Sequence, residues 1–301
     1  MSTTPVAVLG LGGIGGMVAA RTRALCVGTE RSVDVVRGRG LKLKHGDESS
    51  VVRPEAVERL EQPVSLLVVA VKAYALEEAL GRIALEAVEG AVILPLLNGL
   101  EHVELIRERL DARDTVVAAG SIGRVEAYSP EPGVVVQRTV GAALITAASR
   151  DGGRARLEAA LGPLRVSGID VVVAGDERAV LWEKAARLAV LSAATLASGR
   201  PVGTLRDEST WRVRLRAALE EACSVAAADG VQLDPAGQWA IIESLPHDLT
   251  TSTARDAAAG RPTELDAIAG AVVRAGRRLG IPTPVLEALM ADAWARSSQA
   301  A

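Results

Sequence analysis

Hydrophobic and polar positions follow two regimes along this chain. Up to about residue 175, short and continuously apolar runs are punctuated by glycine, proline and small polar residues; beyond it, apolar residues recur at three- and four-residue spacing. The first regime reads as buried parallel strands with helical crossovers, the second as helices packed on helices. Residues 6–9 form the first apolar run, within the stretch PVAVLGLGGIGG at 5–16, and Ala19, Ala20 and Ala24 follow in a helical pattern. Residues 33–36 predict a second strand. Residues 41–44, with Val51 and Val52, predict a half-exposed edge, and 65–71 and 91–97 predict central strands. Helices are expected from about Leu76 and near Glu101. Residues 115–122, 134–137 and 142–145 read as extensions of the same sheet, with a turn-rich loop at 129–133. A helix near 154–164 and a strand at 170–173 close this half, and helical spacing then covers 178–198, 207–228, 235–244, 265–279 and 285–297.

The glycines sharpen this picture. Gly10, Gly12 and Gly15 stand at G-x-G-x-x-G spacing between the first strand and the first helix, the context a dinucleotide fingerprint requires. The first glycine permits the tight turn, the second lets backbone approach a pyrophosphate, and the third lets helix and strand pack closely. Helix-start N–H groups then face the phosphates. The cofactor-binding residues expected here are Gly10, Leu11, Gly12, Gly13, Ile14 and Gly15. The fold class is therefore an α/β Rossmann-type N-terminal domain with a parallel-rich sheet over 1–175, followed by an all-α domain over 176–301. With the second strand at 33–36, Arg37 and Arg39 stand at its end, where an arginine accommodates the extra phosphate of NADP. Glu30, about 20 residues past Gly10, is the competing position and would favour NAD. That choice needs the strand to be 24–27, which leaves too short a helix before it, so NADP is the expected cofactor. Lys72 and Asn98 stand at the carboxyl ends of two later strands, where open parallel sheets bind ligands. Their alternatives are a solvated lysine and an asparagine closing a turn.

Composition excludes other classes. The chain has 301 residues, 49% hydrophobic, with a formal net charge of -3, which gives no support for nucleic-acid binding. No apolar run reaches the roughly 20 residues of a membrane span, and no signal-type segment opens the chain. Cys26 and Cys223 are too few for a disulfide framework or a metal site. The expectation is a cytoplasmic protein acting on a small molecule, with no nucleic-acid or membrane partner. A homodimer is compatible with the pattern, which does not decide the oligomeric state. Of 34 basic residues only Lys42, Lys44, Lys72 and Lys184 are lysines. Lysine can shift its pKa and give up a proton where arginine cannot, so each one merits inspection.

Lys184 lies in Leu-Trp-Glu-Lys-Ala-Ala, a helix apolar on most sides. It either snorkels to solvent or sits in a cleft where desolvation lowers its pKa. Glu264 opens a late helix, where Thr263 as a cap and Glu264 and Asp266 as first-turn acids form the structural alternative. Six ordered pieces now coincide: GLGGIG at 10–15, VKAY at 71–74, LNGL at 97–100, LWEK at 181–184, TSTARD at 251–256 and GRPTELD at 260–266. In these pieces the chain resembles the ketopantoate reductases (2-dehydropantoate 2-reductases) over nearly its full length. The resemblance implies NADPH-dependent reduction of 2-dehydropantoate to pantoate, in pantothenate biosynthesis, in a site enclosed by the two domains. It makes Lys184 the general acid and places Glu264 on the hydroxyl end of the substrate. Ser252 falls on the substrate carboxylate, Asn98 on nicotinamide and substrate, and Lys72 beside the cofactor ribose.

Two departures accompany the resemblance. Leu188 and Ser192 stand four and eight residues after the lysine, on its helix face, where the family pattern has asparagines. Leucine offers no hydrogen bond and serine a shorter one, which opens the alternative of a less polar 2-keto acid. No helix separates Arg37 from the strand at 41–44 in this reading, so the adenine side of the cofactor pocket lacks an element. A non-catalytic NADP-binding redox sensor is the competing class; it has no need of Lys184 and Glu264 together.

Overall fold

The computed structural model describes residues 6–139, 141–150 and 153–299; Pro5, at the head of the glycine-turn stretch, lies outside the described residues. Two compact units emerge, Met1–Leu97 with His102–Val180, and Asn98–Glu101 with Leu181–Ala301.

The first unit carries all the described strands. Its elements in order are β1 (Val6–Leu9), α1 (Gly13–Thr22), β2 (Leu25–Val27), α2 (Glu30–Arg39), β3 (Leu41–His45), β4 (Glu48–Val52), β5 (Ala56–Val57), β6 (Leu66–Val69), α3 (Leu76–Leu80), β7 (Val92–Pro95), α4 (His102–Arg109), β8 (Val116–Val117), β9 (Ala119–Gly123), β10 (Ala127–Glu131), β11 (Val134–Gln137), β12 (Leu144–Ala148), α5 (Arg154–Ala160), α6 (Gly162–Val166) and β13 (Asp170–Val173). A parallel sheet in the order β5-β2-β1-β6-β7-β8 forms the centre. β1, β6 and β7 are buried along their whole length, as expected of strands covered on both faces.

The structure corrects the sequence expectations in three places. Residues 33–36 are not a strand: they lie inside α2, and the second strand is Leu25–Val27. Val33 and Val36 are buried three apart on one helix face while Asp34 and Arg37 are exposed, which is helical and not alternating periodicity. The helix that seemed missing is therefore present. The later strands do not extend the central sheet, β8 excepted. β3, β4, β10 and β11 form a second sheet in the order β10-β11-β3-β4, and β9, β12 and β13 a third. Finally, much of the expected loop at 129–133 is strand, β10 pairing antiparallel with β11 across an irregularity between Tyr128 and Glu131.

The second sheet lies against the first helix. A Cβ added at Gly13 would sit 2.3 Å from the Ala127 carbonyl oxygen, and one at Gly16 2.5 Å from Val135 Cγ2. The two glycines outside the fingerprint are thus the seats of β10 and β11 on α1.

The second unit is helical. It holds most of α7 (Glu177–Ser198), then α8 (Val202–Asp207), α9 (Ser209–Ala228), α10 (Pro235–Ser244), α11 (Ser252–Ala258), α12 (Ala271–Leu279) and α13 (Pro284–Gln299). α7 is buried on most sides by an alanine-rich surface, including Ala185, Ala186, Ala189, Ala193 and Ala194. Immediately before α12, residues Asp266–Gly270 form a π turn. No helix among the described residues is long and apolar enough to cross a membrane.

Candidate functional site

In the first unit the glycine turn is built as its spacing demands. Gly10 has φ +94, a value that favours glycine, and its N–H donates to the Val27 carbonyl at 3.0 Å. A Cβ at Gly15 would lie 1.9 Å from the Gly10 carbonyl oxygen, so α1 could not approach β1 with any other residue there. Gly12 is different. A Cβ there would meet nothing within 4 Å, so Gly12 faces open space directly before the first helical residue. Backbone exposed at a helix start, with unbonded N–H groups and room beside it, fits a pyrophosphate.

Lys72 stands three residues past β6, beside this turn. The Ala70 N–H donates to the Leu9 carbonyl at 2.9 Å, and Ala70 Cβ would lie 3.1 Å from a Cβ at Gly15. Arg37 does not stand at a strand end. It occupies the last turn of α2, exposed, with its Nε donating to the Ala56 carbonyl at 3.0 Å. The position following β2 belongs to Gly28–Ser32 instead. There Thr29 precedes α2, its hydroxyl is 3.1 Å from that of Ser32, and Glu30 and Arg31 are both exposed.

In the second unit α7 carries the lysine singled out in the sequence. Lys184, Leu188, Ser192 and Thr195 recur at helical spacing and form one stripe. Lys184 retains only a minor exposed surface, and burial pushes its ammonium down from 10.5 to about 8. The Glu264 carboxylate opposes that shift, and the Arg187 guanidinium, one turn along α7, adds to it. Glu264 is itself buried, 5% exposed. Lys184 therefore does not snorkel, and Glu264 is not an exposed first-turn acid.

Ser192 and Thr195 of the stripe are polar and enclosed. The Ser192 hydroxyl is fully buried and has no hydrogen-bond partner. Thr195 Oγ1 donates to the Leu191 carbonyl at 2.7 Å and lies 2.8 Å from Thr251 Oγ1. Thr251 caps α11 by accepting from the Ala254 N–H at 3.2 Å, so this hydroxyl pair ties the stripe to the helix that Ser252 opens. Leu188 lies half-buried between Lys184 and Ser192.

Glu264 is held on both sides. Upstream, Arg261 donates to the buried Asp256 carboxylate from Nε at 3.0 Å and Nη2 at 2.8 Å. Downstream, the Ile268 N–H donates to the Glu264 carbonyl at 3.0 Å at the entry to the π turn, a helix irregularity frequent at functional sites. Asn98 belongs to this unit through the segment Asn98–Glu101, whose Glu101 is bridged by Arg274. Sequence reasoning missed Arg274, Thr195, the hydroxyls beside Arg31 and the π turn. Arg274 and Glu101 are 173 residues apart, so only the fold could pair them.

The structure thus brings Lys184 and Glu264 together in the second unit and Lys72 beside the glycine turn in the first. A buried ammonium of lowered pKa next to a buried carboxylate can hold and release a proton near neutral pH.

Comparison with known proteins identifies the family. Residues 6–150 match the family described as Ketopantoate reductase PanE/ApbA, and residues 176–293 match its C-terminal region. The 2-dehydropantoate 2-reductase of Mycobacterium tuberculosis is 28% identical over 300 residues, covering 95% of this chain and 96% of that protein. A PanE/ApbA family ketopantoate reductase from Ralstonia eutropha JMP134 superimposes with a TM-score of 0.83 at 26% identity, covering 98% of this chain and 99% of that one. A D-mandelate dehydrogenase solved with NADH and anilino(oxo)acetate shares the fold, with a TM-score of 0.89 at 21% identity over 98% of this chain and 99% of that one. The chain belongs to the ketopantoate reductase family, an oxidoreductase family acting on CH–OH groups.

Proposed function

We propose that this protein is a cytoplasmic NADPH-dependent reductase of 2-keto acids, with 2-dehydropantoate as its substrate and pantoate, for pantothenate synthesis, as its product. In this reading the nucleotide is held by the part of the chain up to about residue 175, and the proton chemistry belongs to the helical part after it. The observation that carries the reading is the pairing of Lys184 with Glu264: a protein that only binds a nucleotide gains nothing from burying an ammonium at the cost of a lowered pKa.

The cofactor, when bound, supplies the hydride. The chain's own residues do the rest. Backbone N–H groups at the start of α1 would hold the pyrophosphate, and Lys72 would lie beside the ribose. Lys184 donates its proton to the carbonyl oxygen as negative charge develops there, where a cation already stands. Glu264 holds the ammonium and the hydroxyl end of the substrate, while Ser252, Ser192 and Asn98 orient the keto acid. Replacing Arg37 as the contact for the 2′-phosphate, we assign Arg31, which stands with the Thr29 and Ser32 hydroxyls just past β2.

Leu188 supports a second reading. An apolar side chain between Lys184 and Ser192 gives the substrate wall one aliphatic step, which suits a 2-keto acid lacking the hydroxyl of 2-dehydropantoate. Initial rates of NADPH oxidation with 2-dehydropantoate, pyruvate and a branched apolar 2-keto acid separate the two. Lys184→Ala should lower turnover of the preferred acid by roughly 10²–10⁴-fold with NADPH binding intact. Unchanged turnover removes Lys184 from the mechanism.

A further inference from the structure

Asn98 rides on the short segment Asn98–Glu101, and two features fasten that segment to the π turn. Gly99 has φ +97, and a Cβ there would lie 2.1 Å from the Ala267 carbonyl oxygen, so its backbone rests directly on the turn. Two residues on, Glu101 receives both arms of a guanidinium, Arg274 Nε at 2.9 Å and Nη2 at 2.7 Å. The same guanidinium donates from Nη1 to Asp266 Oδ1 at 2.9 Å and from Nη2 to the Asp266 carbonyl at 3.1 Å.

One side chain of α12 therefore closes a bracket between the segment bearing Asn98 and the first residue of the π turn, two residues after Glu264. We propose that Arg274 is a positioning residue for the reduction, setting Asn98 against Glu264 by bracketing Glu101 and Asp266. The inference rests on Asn98 and Glu264 belonging to the reaction site.

The alternative is an ordinary surface ion pair. The side chains are exposed enough for that, 40% for Arg274, 51% for Glu101 and 69% for Asp266, and such pairs add little to stability. Geometry argues for more than stability. A planar fork engages the Glu101 carboxylate bidentately while its third nitrogen and a shared one take Asp266, which fixes distance and angle together. A π turn is also a poorly propagating helical form, and Arg274 supplies an outside bond to the carbonyl at its start. Misplacing a substrate-orienting group by about 1 Å costs roughly 100-fold in rate.

The test uses the full-length enzyme and the 2-keto acid it turns over fastest. Variants are Arg274→Gln, Arg274→Lys, Glu101→Gln, Asn98→Ala and the Arg274→Gln/Asn98→Ala double. Expected results are kcat/KM for the keto acid lower by about 10- to 100-fold in Arg274→Gln and Glu101→Gln, with partial recovery in Arg274→Lys. The dissociation constant for NADPH should stay within about threefold and Tm within a few degrees. In the Asn98→Ala background, Arg274→Gln should add almost nothing, because both changes remove one function. Normal kcat/KM in Arg274→Gln, with Asn98→Ala impaired, overturns the bracket; so do fully additive losses. If Arg274→Gln fails to fold, the isosteric Glu101→Gln decides by the same criteria. Normal turnover in Asn98→Ala instead removes Asn98 from the site, and the bracket's purpose with it.

Discussion

The lowered pKa of Lys184 makes the rate of reduction depend on pH in a calculable way. Burial takes the ammonium from 10.5 to about 8. That difference corresponds to about 3 kcal/mol between its two protonation states. With Lys184 as the proposed acid, its protonated form carries the reaction, so kcat/KM for the keto acid should be level below about pH 8 and fall above it. Between pH 7 and pH 9 the protonated fraction drops about tenfold, whereas a lysine at its ordinary value would lose only a few per cent. Two substitutions move the descending limb in opposite directions. Glu264→Gln removes the charge that opposes the shift, so the limb moves to lower pH; Arg187→Met removes a charge that adds to it, so the limb moves up. Unfolding cannot mimic this loss through the same group. A lysine whose folded pKa lies below its unfolded one adds stability as pH rises from about 8 to 10.5, opposite in sign to the fall in rate. The assay is the initial rate of NADPH oxidation at low keto-acid concentration across that range. A profile flat to pH 10, or a limb unmoved by both substitutions, would refute the assignment of Lys184 as the acid.

Three further outcomes follow from the geometry. A Cβ at Gly12 meets no atom within 4 Å, so Gly12→Ala should leave Tm nearly unchanged while weakening NADPH binding by about tenfold, read by fluorescence titration; normal binding would mean that no pyrophosphate approaches this turn. Ser192→Ala deletes a buried hydroxyl that has no partner, so stability in urea should hold or rise slightly while KM for the keto acid increases; an unchanged KM would take Ser192 out of the substrate wall. Arg31→Ala should weaken NADPH and spare NADH, with Arg37→Ala affecting neither; preference for NADH throughout would hand the selection to Glu30.

Much of this was legible in the sequence, for identifiable reasons. The glycine turn is local, since strand, turn and helix follow one another within about a dozen residues, and buried parallel strands such as β6 and β7 announce themselves as unbroken apolar runs. Lys184 stood out because the chain has so few lysines. The second strand was misread because β2 is three residues long, too short to show a period, while Val33, Val35 and Val36 imitate a strand inside α2. With the strand placed there, the position following it falls on Arg37 instead of Gly28–Ser32. The division of the later strands into separate sheets was not readable either, since β3 pairs with β11 across about 90 residues. Gly13 and Gly16 hinted at it, but their demand for space becomes visible only with β10 and β11 in place.

The π turn has a consequence for how this chain can vary in length. A π turn spends one more residue per hydrogen-bonded ring than an α turn, and each helical residue turns the backbone by about 100°. Deleting one residue within Asp266–Gly270 would let an ordinary helix form with Glu264 and Arg274 nearly in their present register, because the wide turn already absorbs its extra residue. Between Glu264 and Arg274 the π turn is therefore the place where the chain can lose a residue, whereas an insertion, or a deletion in the α-helical part, rotates the carboxylate by about 100° relative to Arg274.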